Sequence, residues 1–531
     1  MLLDLTNPAH LLIALGPDVL LMVGAMGLLL YSAWAPESAA RQRSVGVGSM
    51  VLTVLTMAAV VWYMLRADTV SVGPVATDTF RWVADIVILL GTLAAIALSM
   101  DYNEREGIDA GESHVLVLFA TSGMMTLAAA RDLMIVFLGI EIMSVAVYVL
   151  AGMNRRSPRS AEAALKYFLL GAFATCFLLY GIALLYGATA STNLQVIASR
   201  VAEGGAGNPL LVVGVAMLLI GFAFKVAVVP FHMWAPDVYE GAPTPITAYM
   251  AAAVKAAGFV AFARIWKEAL PDVVTTWHLA LWWLAVVTMV VGNLIALAQR
   301  NVKRLLAYSS IAHGGYLLVA LVAGGALASS ALVFYLFAYT LATVGAFAIV
   351  GALAGRSDRY QEIDDFSGLW TERPWMATAM AVFMLALLGF PIFGGVGFFA
   401  KWYMIQAALQ SPSPQPRLAI ALVVTSVISA GYYLYVVMVM FMRPRPDDRP
   451  APATIMPATR WVIGAAAVLI LAIGLYPAPV TRLARAAVQT PPVMPPSDTL
   501  LAGGGGGGAV LAAPAAIAAP AAIAAPRPVA P

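Results

Sequence analysis

Four lysines lie inside stretches of the sequence that are apolar and long enough to cross a lipid bilayer. They are Lys166, Lys225, Lys255 and Lys401, whereas the arginines are assigned to the loops and tails. A charge held within a bilayer costs on the order of 2.5–3.5 kcal/mol, so such residues usually mark ion or proton pathways. Arginine stays protonated, but a lysine removed from water can release its proton near neutral pH. The presence of lysines, and not arginines, in the apolar stretches predicts a protein that moves protons.

A buried acid accompanies these lysines. Glu141 lies in the string GIEIMSVAVYVL, and its candidate partner is Lys166 or Lys225. Because an opposite charge favours the ionised form of a lysine, the lysine would hold its proton while the carboxylate is close and release it when the carboxylate moves away. We expect the released proton to move toward Lys255 and then to Lys401, the terminal site.

Two histidines complete the predicted relay. His232 and His313 can bridge lysines, since imidazole exchanges protons near neutral pH. Other interpretations remain open: Lys166 begins its apolar stretch and could extend to the membrane interface. Glu141 could be a static clamp between helices, the deeper lysines could sit in fixed ion pairs, and each histidine could cap or pack.

The elements that position these residues are membrane-spanning helices. Hydrophobic residues make up 62% of the 531 residues and charged residues 11%, which is typical of a polytopic all-α membrane protein. About fourteen apolar runs have the roughly 17–25 residues of a transmembrane helix, without the alternation of a barrel strand. They lie near residues 11–34, 44–66, 82–100, 114–130, 133–152, 164–187, 210–234, 245–265, 277–298, 305–324, 328–354, 374–408, 418–442 and 461–478.

Two of these helices are predicted to break in the middle of the membrane. Lys225 is followed by Pro230, and Pro391, Gly394 and Gly395 precede Lys401. Proline removes a backbone donor and clustered glycine weakens the rest of the helix. Open backbone at that depth requires protein or a water-filled cavity around it.

The matched breaks predict a repeat. Each falls in the fourth helix of a five-helix unit, and an odd number of helices inverts the second unit relative to the first, as in many secondary transporters. The predicted divisions are a three-helix segment, two five-helix repeats, a last transmembrane helix and a mobile low-complexity tail, at residues 1–112, 113–265, 277–442, 443–480 and 481–531.

Charge and composition indicate the orientation and exclude several functions. The odd-numbered loops carry more than twice as many lysines and arginines as the even-numbered loops, which predicts that both termini face the non-cytoplasmic side. The net charge of +3 does not suggest nucleic-acid binding, and the single cysteine, Cys176, allows no iron–sulfur ligand set. Met1-Leu2-Leu3-Asp4 lacks the basic region of a cleaved signal peptide, so the first run is expected to remain as a helix.

Long strings of this sequence resemble a known family. The strings LGIEIMSVAVYVLAG, FKVAVVPFHMWAPDVYEGAPTPITAYMA, KRLLAYSSIAHGGYLL and GFPIFGGVGFFAKWYMI resemble the subunit N family, one of the antiporter-like membrane subunits of bacterial proton-pumping NADH:quinone oxidoreductase, respiratory complex I. The resemblance covers roughly residues 1–480. Sister subunit M is similar but usually has glutamate at the position of Lys401.

The resemblance implies a fold, a function and partners. It implies fourteen helices with two inverted five-helix repeats, and a proton channel whose functional residues are Glu141, Lys225, Lys255 and Lys401. It also implies other membrane subunits beside this one, among them subunit M and small channel subunits, a peripheral arm with flavin and iron–sulfur clusters, quinone bound elsewhere, and the bacterial inner membrane as location. Two alternatives remain: a subunit of a multi-subunit cation/proton antiporter, and a non-transporting scaffold.

Overall fold

The computed structural model describes residues 2–4, 8–34, 36–66, 70–203, 207–270, 274–391, 395–445 and 455–488. Apart from two three-residue strands, β1 (Leu2–Asp4) and β2 (Val70–Val72), which pair in parallel, the regular structure of these residues is helical. The all-α membrane fold predicted from the sequence is confirmed.

The helices follow one another with short connections. The first half of the chain contains α1 (Pro8–Ala14), α2 (Gly16–Ala33), α3 (Ala39–Leu65), α4 (Thr79–Glu106), α5 (Glu112–Ala129), α6 (Leu133–Ala151), α7 (Pro158–Thr189), α8 (Leu194–Ala202), α9 (Pro209–Lys225), α10 (Trp234–Gly241), α11 (Thr244–Tyr249) and α12 (Lys255–Glu268). The second half contains α13 (Val274–Leu297), α14 (Val302–Ala323), α15 (Gly325–Leu353), α16 (Leu369–Glu372), α17 (Pro374–Leu388), α18 (Gly395–Gln410), α19 (Pro416–Met442), α20 (Pro457–Leu475) and α21 (Ala478–Ala486). A π-helical segment, Met250–Val254, joins α11 to α12, and short 3₁₀ turns form at Arg356–Asp358 and Ile363–Phe366.

Polar residues in the loops explain where many of these helices begin. A side-chain oxygen just before the helix accepts a hydrogen bond from a first-turn backbone N–H, which satisfies a donor that has no partner inside the helix. The capping residues of α3, α4, α6, α7, α8, α9 and α14 are Ser38, Asp78, Asp132, Ser157, Asn193, Asn208 and Asn301.

Twelve helical spans of the described residues are long and apolar enough to cross a membrane. They match twelve of the predicted runs, with α11, the π segment and α12 forming one span, Thr244–Glu268. The two remaining runs, near 210–234 and 374–408, are the ones predicted to break. There the structure has shorter helices, with α9 in the first run and α17 and α18 in the second.

The first interruption follows Lys225. Residues 226–233 form irregular turns with a cis Val229–Pro230 peptide bond, and Ala227 has a left-handed backbone with a φ of 56°. Neighbouring protein groups satisfy the opened backbone: the Val229 N–H donates to Oγ1 of Thr288 at 3.0 Å. The indole N–H of Trp234 donates to the carbonyl oxygen of Phe224, also at 3.0 Å.

The second interruption separates α17 from α18. Gly389 ends α17 with a φ of 82°, a left-handed conformation that glycine adopts without strain, and Pro391 lies in the turn that follows. Gly395 is the first residue of α18, as expected from its predicted role at the break. Gly394, the other glycine predicted there, lies outside the described residues.

The two halves repeat a packing pattern. In the first five-helix unit α5 packs against α6 and α12, and α7 packs against α9. In the second unit α13 packs against α14 and α19, and α15 packs against α17 and α18. The corresponding pairs are first with second, first with fifth, and third with fourth, as expected of a structural repeat.

Burial is concentrated in the middle of the helical assembly. α14, α15 and the span Thr244–Glu268 are covered almost completely by other helices, whereas α2 and α20 expose most of their apolar surface. Charged and polar side chains on the central helices are therefore removed from both water and lipid.

Three expectations from the sequence need correction. Arg81 and Arg264 do not lie in loops: they belong to α4 and α12 and are buried, at 0% and 2% exposure. Lys303, which was assigned to a loop, is in the first turn of α14 and is also fully buried. The predicted boundary at residue 480 falls within α21, because residues 478–486 continue as helix. Residues 489–531 of the predicted tail lie outside the described residues.

Candidate functional site

Glu141 lies in the middle of α6 and is half-buried. Thr175 of α7 donates its hydroxyl hydrogen to Oε1 of Glu141 at 3.0 Å. In the described part of the chain no lysine nitrogen lies within ion-pair distance of this carboxylate. Lys166 of the neighbouring helix α7 pairs with two other acids. The Thr175 hydroxyl is thus the hydrogen-bond donor to this carboxylate among the described residues.

Lys225 is the lysine that lies near Glu141. It is the last residue of α9, is 6% exposed, and donates from Nζ to Oγ of Ser144 at 2.5 Å. Ser144 follows Glu141 by three residues on α6, so the two side chains share one face of that helix. Glu141 is close enough to act electrostatically on Lys225. Of the two partners left open by the sequence, the geometry favours Lys225.

Lys255 begins α12 directly after the π-helical segment and is 3% exposed. Its Nζ donates to Oγ of Ser310 at 2.6 Å and also to the carbonyl oxygen of Ser310. The ring of Tyr339 lies 5.8 Å away. A π segment inserts an extra residue into the helical turn, a feature found frequently at functional sites.

His313 lies between Lys255 and Lys401. It follows Ser310 by three residues on α14, and its ring nitrogens contact the hydroxyls of Tyr335 at 2.8 Å and Tyr433 at 3.2 Å. A small cavity is lined by His313, Tyr335, Tyr339 and Lys401. The expectation that His313 stands between two lysines agrees with this geometry.

Lys401 ends the series at the second interruption. Its Nζ donates to the carbonyl oxygen of Leu388, the last residue of α17, at 2.8 Å. The ring of Tyr316 lies 4.7 Å from the same nitrogen, and the side chain is 6% exposed. The break between α17 and α18 thus provides a carbonyl group for Lys401 that a continuous helix would have used internally.

Two glycines, Gly258 and Gly314, allow the segments around Lys225 and Lys255 to pack closely. A methyl group added at Gly314 would lie 3.5 Å from the Val226 carbonyl oxygen and 3.8 Å from Nζ of Lys255. One added at Gly258 would lie 4.0 Å from Cγ of Lys225. The end of α9 therefore packs directly on α12 and α14, and the order in space is the one predicted from the sequence.

Lys166 does not join this series. Its side chain is 42% exposed, and Nζ pairs with Oε1 of Glu162 at 2.6 Å and with Oδ2 of Asp237 at 2.8 Å. Of the two interpretations left open for Lys166, this exposure agrees with a side chain that extends out of its apolar stretch, and pairing with Glu141 is not observed. Burial alone would raise the pKa of Asp237, but hydrogen bonds from Lys166 and Arg304 hold that pKa below its ordinary value.

His232 lies in the first interruption, away from the lysine nitrogens described above. Its ring stands 6.5 Å from that of Tyr308, and Nδ1 is buried without a hydrogen-bond partner among the described residues. A bridging role for His232 stays a prediction.

Several residues that contact the lysines and His313 were not identified from the sequence. Helical spacing in the sequence could have identified Ser144 and Ser310. Each lies three residues from a predicted functional residue, Glu141 or His313, and therefore on the same helix face. The tyrosines around His313 come from α15 and α19, and only the packing of these helices reveals them. Within the residues described, no group of three histidine, cysteine, aspartate or glutamate side chains could hold a metal ion.

Comparisons with known proteins agree with this architecture. Residues 130–429 match the family described as NADH:quinone oxidoreductase/Mrp antiporter, TM. NADH-quinone oxidoreductase subunit N of Gemmatimonas aurantiaca is 53% identical over 496 residues, covering 92% of this chain and 95% of the relative. Subunit N of Trichlorobacter lovleyi is 46% identical over 396 residues, covering 74% and 80%.

Solved structures show the same fold. A chain of respiratory complex I from Thermus thermophilus with bound aureothin superimposes with a TM-score of 0.73 at 36% identity, over 88% of this chain and 99% of that chain. A chain of the Mrp complex from Dietzia has a TM-score of 0.77 at 22% identity, over 90% and 97%, which shows a shared fold alone. On the extent of these sequence matches, the chain belongs to the NADH-quinone oxidoreductase subunit N family.

Proposed function

We propose that this chain carries protons across the membrane as a non-redox subunit of NADH:quinone oxidoreductase, through Glu141, Lys225, Lys255, His313 and Lys401. One observation supports the relay above the others. The three relay lysines, Lys225, Lys255 and Lys401, are each bonded to an uncharged oxygen and not to a carboxylate, whereas the buried Lys303 outside the relay pairs with Asp358. The fixed ion pairs expected of purely structural lysines are absent from these three positions in the described residues.

Neutral partners leave the lysines sensitive to nearby charge. A buried ammonium ion loses the solvation of water, and a hydroxyl or carbonyl group replaces only part of it. The balance between the charged and neutral forms then depends on neighbouring charges such as Glu141. A proton that leaves Nζ of Lys225 raises the tendency of Lys255 to take one up, because the two positive charges no longer repel each other.

The last part of the relay passes through His313 to Lys401. The ring nitrogens of His313 contact two tyrosine hydroxyls, each of which can donate one hydrogen bond and accept another. His313 and Lys401 line one small cavity together with the hydroxyl-bearing side chains of Tyr335 and Tyr339, so both ends of the final transfer open into the same space. With the orientation predicted from loop charges, protons enter from the cytoplasm and leave beyond Lys401.

The driving force is assigned to partner subunits. Quinone reduction, flavin and iron–sulfur clusters are expected elsewhere in the complex, and this chain would contact other antiporter-like subunits such as subunit M, small channel subunits and lipid. The proposed location is the bacterial inner membrane, with both termini on the non-cytoplasmic side.

Alanine substitution of Lys225 and glutamine substitution of Glu141 test the relay. In membrane vesicles containing the assembled complex, Lys225→Ala and Glu141→Gln should each lose most NADH-driven proton uptake, measured by quenching of a pH-sensitive dye. Lys267→Ala is the matched control, because Lys267 is exposed at the end of α12 and should leave pumping unchanged. Normal pumping by assembled Lys225→Ala complexes would overturn the proposal.

The two alternatives have less support. The Mrp-type likeness extends to the fold, which complex I subunits share, and copurification of the chain with flavin and iron–sulfur proteins would separate the two assemblies. A scaffold without transport was expected to have unbroken helices, but both predicted interruptions are present.

A further inference from the structure

A second group of buried charges lies outside the lysine series, where α2 meets the beginning of α4. It consists of Asp18 of α2 and of Arg81 and Asp85 of α4, which are 4%, 0% and 0% exposed. Arg81 donates to a carboxylate oxygen of Asp18, and to the carbonyl oxygens of Ala14 at 3.0 Å and Ala76 at 2.8 Å. The guanidinium group is thus mainly committed to Asp18 and to backbone.

Asp85 receives no hydrogen bond from Arg81. Its Oδ2 lies 3.5 Å from Nε of Arg81, an ion contact without hydrogen-bond geometry. Neither Asp85 oxygen has a hydrogen-bond partner among the described residues, and Oδ1 of Asp18 has none either. A buried carboxylate with no donors is costly unless its charge is removed.

The neighbouring guanidinium groups are already engaged. Arg264 of α12, which acts electrostatically on Asp85, donates to both oxygens of Asp78 at 2.7 and 2.9 Å and to Glu268 at 2.9 Å. Arg131 pairs with the same two acids, at 3.1 and 3.2 Å. The other ionisable group beside Arg81 is the phenol of Tyr63 on α3, which is neutral at physiological pH.

The charges of the described residues in this region do not balance. Four carboxyl groups, those of Asp18, Asp78, Asp85 and Glu268, face three guanidinium groups, those of Arg81, Arg131 and Arg264. One proton corrects the excess negative charge, and Asp85 is the carboxyl group with the fewest donors. We propose that Asp85 is a proton-binding site, separate from the lysine series.

A buried polar stripe on α4 leads away from this site. Asp85, Thr92, Ser99 and Glu106 are spaced by seven residues, about two helical turns, and all four are buried. The hydroxyl of Thr92 contacts that of Thr121 at 2.8 Å, and Thr121 contacts Tyr249 at 2.7 Å. Ser99 lines a small cavity near the far end of α4. We infer that the Asp85 proton exchanges along this stripe, whose members lie about 10 Å apart along the helix axis.

Infrared spectroscopy of the full chain in lipid vesicles tests the site. With carboxyl-labelled aspartate, the wild-type chain at neutral pH should show the C=O band of a protonated aspartate, shifted when water is replaced by D₂O. The band should be lost in Asp85→Asn. It should also be lost in Asp18→Asn, because Asp85 would then ionise as the only carboxylate beside Arg81. Asp132→Asn, at the half-buried N-cap of α6 where two groups donate to the carboxylate, should keep it.

Other results would overturn the proposal. A band that persists in Asp85→Asn would place the proton elsewhere. If the band is absent in sodium buffer and appears when choline replaces sodium, the oxygens hold a metal cation instead. Should Asp85→Asn fold poorly, Asp85→Glu is measured in its place: with only aspartate labelled, the band should again be lost, and a band that persists would place the proton on Asp18 or elsewhere. In Thr92→Val the band should remain but its shift in D₂O should become slower, and an unchanged rate would refute the route. These readouts do not depend on pumping, so they are independent of the proposed relay.

Discussion

At the scale of single residues, the three relay lysines, Lys225, Lys255 and Lys401, differ from the buried Lys303 in having no carboxylate partner among the described residues. Each Nζ has a hydroxyl or carbonyl oxygen as its hydrogen-bond acceptor, and the helix faces around them carry small residues such as Gly258 and Gly314. A carboxylate in contact with any of them would fix its positive charge, since breaking a buried ion pair is strongly unfavourable. The neutral partners and the small neighbours are therefore as important to the proposed relay as the lysines.

Ser144→Ala tests the partner of Lys225. The substitution removes the acceptor that lies 2.5 Å from Nζ, and hydrogen bonds to charged groups contribute about 1.5–3 kcal/mol. We expect Lys225 to hold its proton less well and the rate of NADH-driven proton uptake to fall several-fold, with normal assembly on native gels. Ser144→Thr keeps the hydroxyl and should retain most activity. Equal pumping by Ser144→Ala and wild type would contradict this role.

Gly314→Ala tests the space between the first two lysines. The added methyl group would make ordinary contacts, 3.5 Å from the carbonyl oxygen of Val226 and 3.8 Å from Nζ of Lys255, so the fold should tolerate it. It would occupy the space through which the two sites communicate. We expect a several-fold loss of proton uptake at an unchanged level of assembled complex. Gly464→Ala, where no atom lies within 4 Å of the new methyl group, is the matched control.

At the scale of elements, interrupted helices position the ends of the relay. α9 stops at Lys225, and α17 stops just before Gly389, whose added Cβ would lie 2.9 Å from Cδ of Lys401. At each break, backbone groups that have no partner within a helix lie next to a lysine. The π segment before Lys255 is a third local irregularity next to a relay lysine. In a regular helix these backbone groups would be hydrogen-bonded within the helix and would not be available to a lysine.

Gly397→Ala tests the contact between the two halves of the second interrupted helix. A Cβ atom at this position would lie 1.8 Å from the carbonyl oxygen of Ala386, so α17 and α18 would have to separate. Lys401 is one turn further along α18 and would lose its bond to Leu388. Overpacking of this kind costs about 1–3 kcal/mol or more. We expect a lower thermal midpoint and less assembled complex than for Gly464→Ala, and wild-type values would contradict the close packing.

At the scale of the whole molecule, one carboxylate joins three of the predicted divisions. Asp358 accepts hydrogen bonds from Arg105 of α4 at 3.2 Å, Thr244 of α11 at 2.7 Å and Lys303 of α14 at 3.5 Å. These helices belong to the N-terminal segment, the first repeat and the second repeat. α4 itself packs against α11, α12, α15 and α20, so it is a central element of the fold.

Asp358→Asn should therefore lower the free energy of unfolding of the chain. Asparagine keeps the size and tolerates the left-handed backbone, with a φ of 49°, but it removes the ion-pair partner of the fully buried Lys303. Removing one partner of a buried ion pair costs about 3–5 kcal/mol. Asp364→Asn, whose side chain is 66% exposed, should cost less than about 1 kcal/mol. Unfolding of the purified chain in detergent measures the difference, and equal stability of the two variants would refute it.

The sequence by itself determined much of this protein. Hydrophobic length predicted the fourteen helical regions because a bilayer requires about twenty apolar residues per helix. Proline and glycine predicted both interruptions because they cannot maintain helical hydrogen bonds. The rarity of lysine in apolar segments identified Lys225, Lys255 and Lys401, since a charge at that depth is retained only for a reason.

Tertiary structure decided which of these residues meet. Lys166 looked equivalent to the other lysines, but α10 places Asp237 beside it at the edge of the molecule. Arg81 and Arg264 looked like loop residues at helix ends, yet both are buried: Asp18 and two backbone carbonyl groups cover Arg81, and α12 packs against α4 around Arg264. Periodicity along one helix fixes spacing within that helix, whereas burial and pairing depend on which other helix covers each face, and one sequence segment does not contain that information.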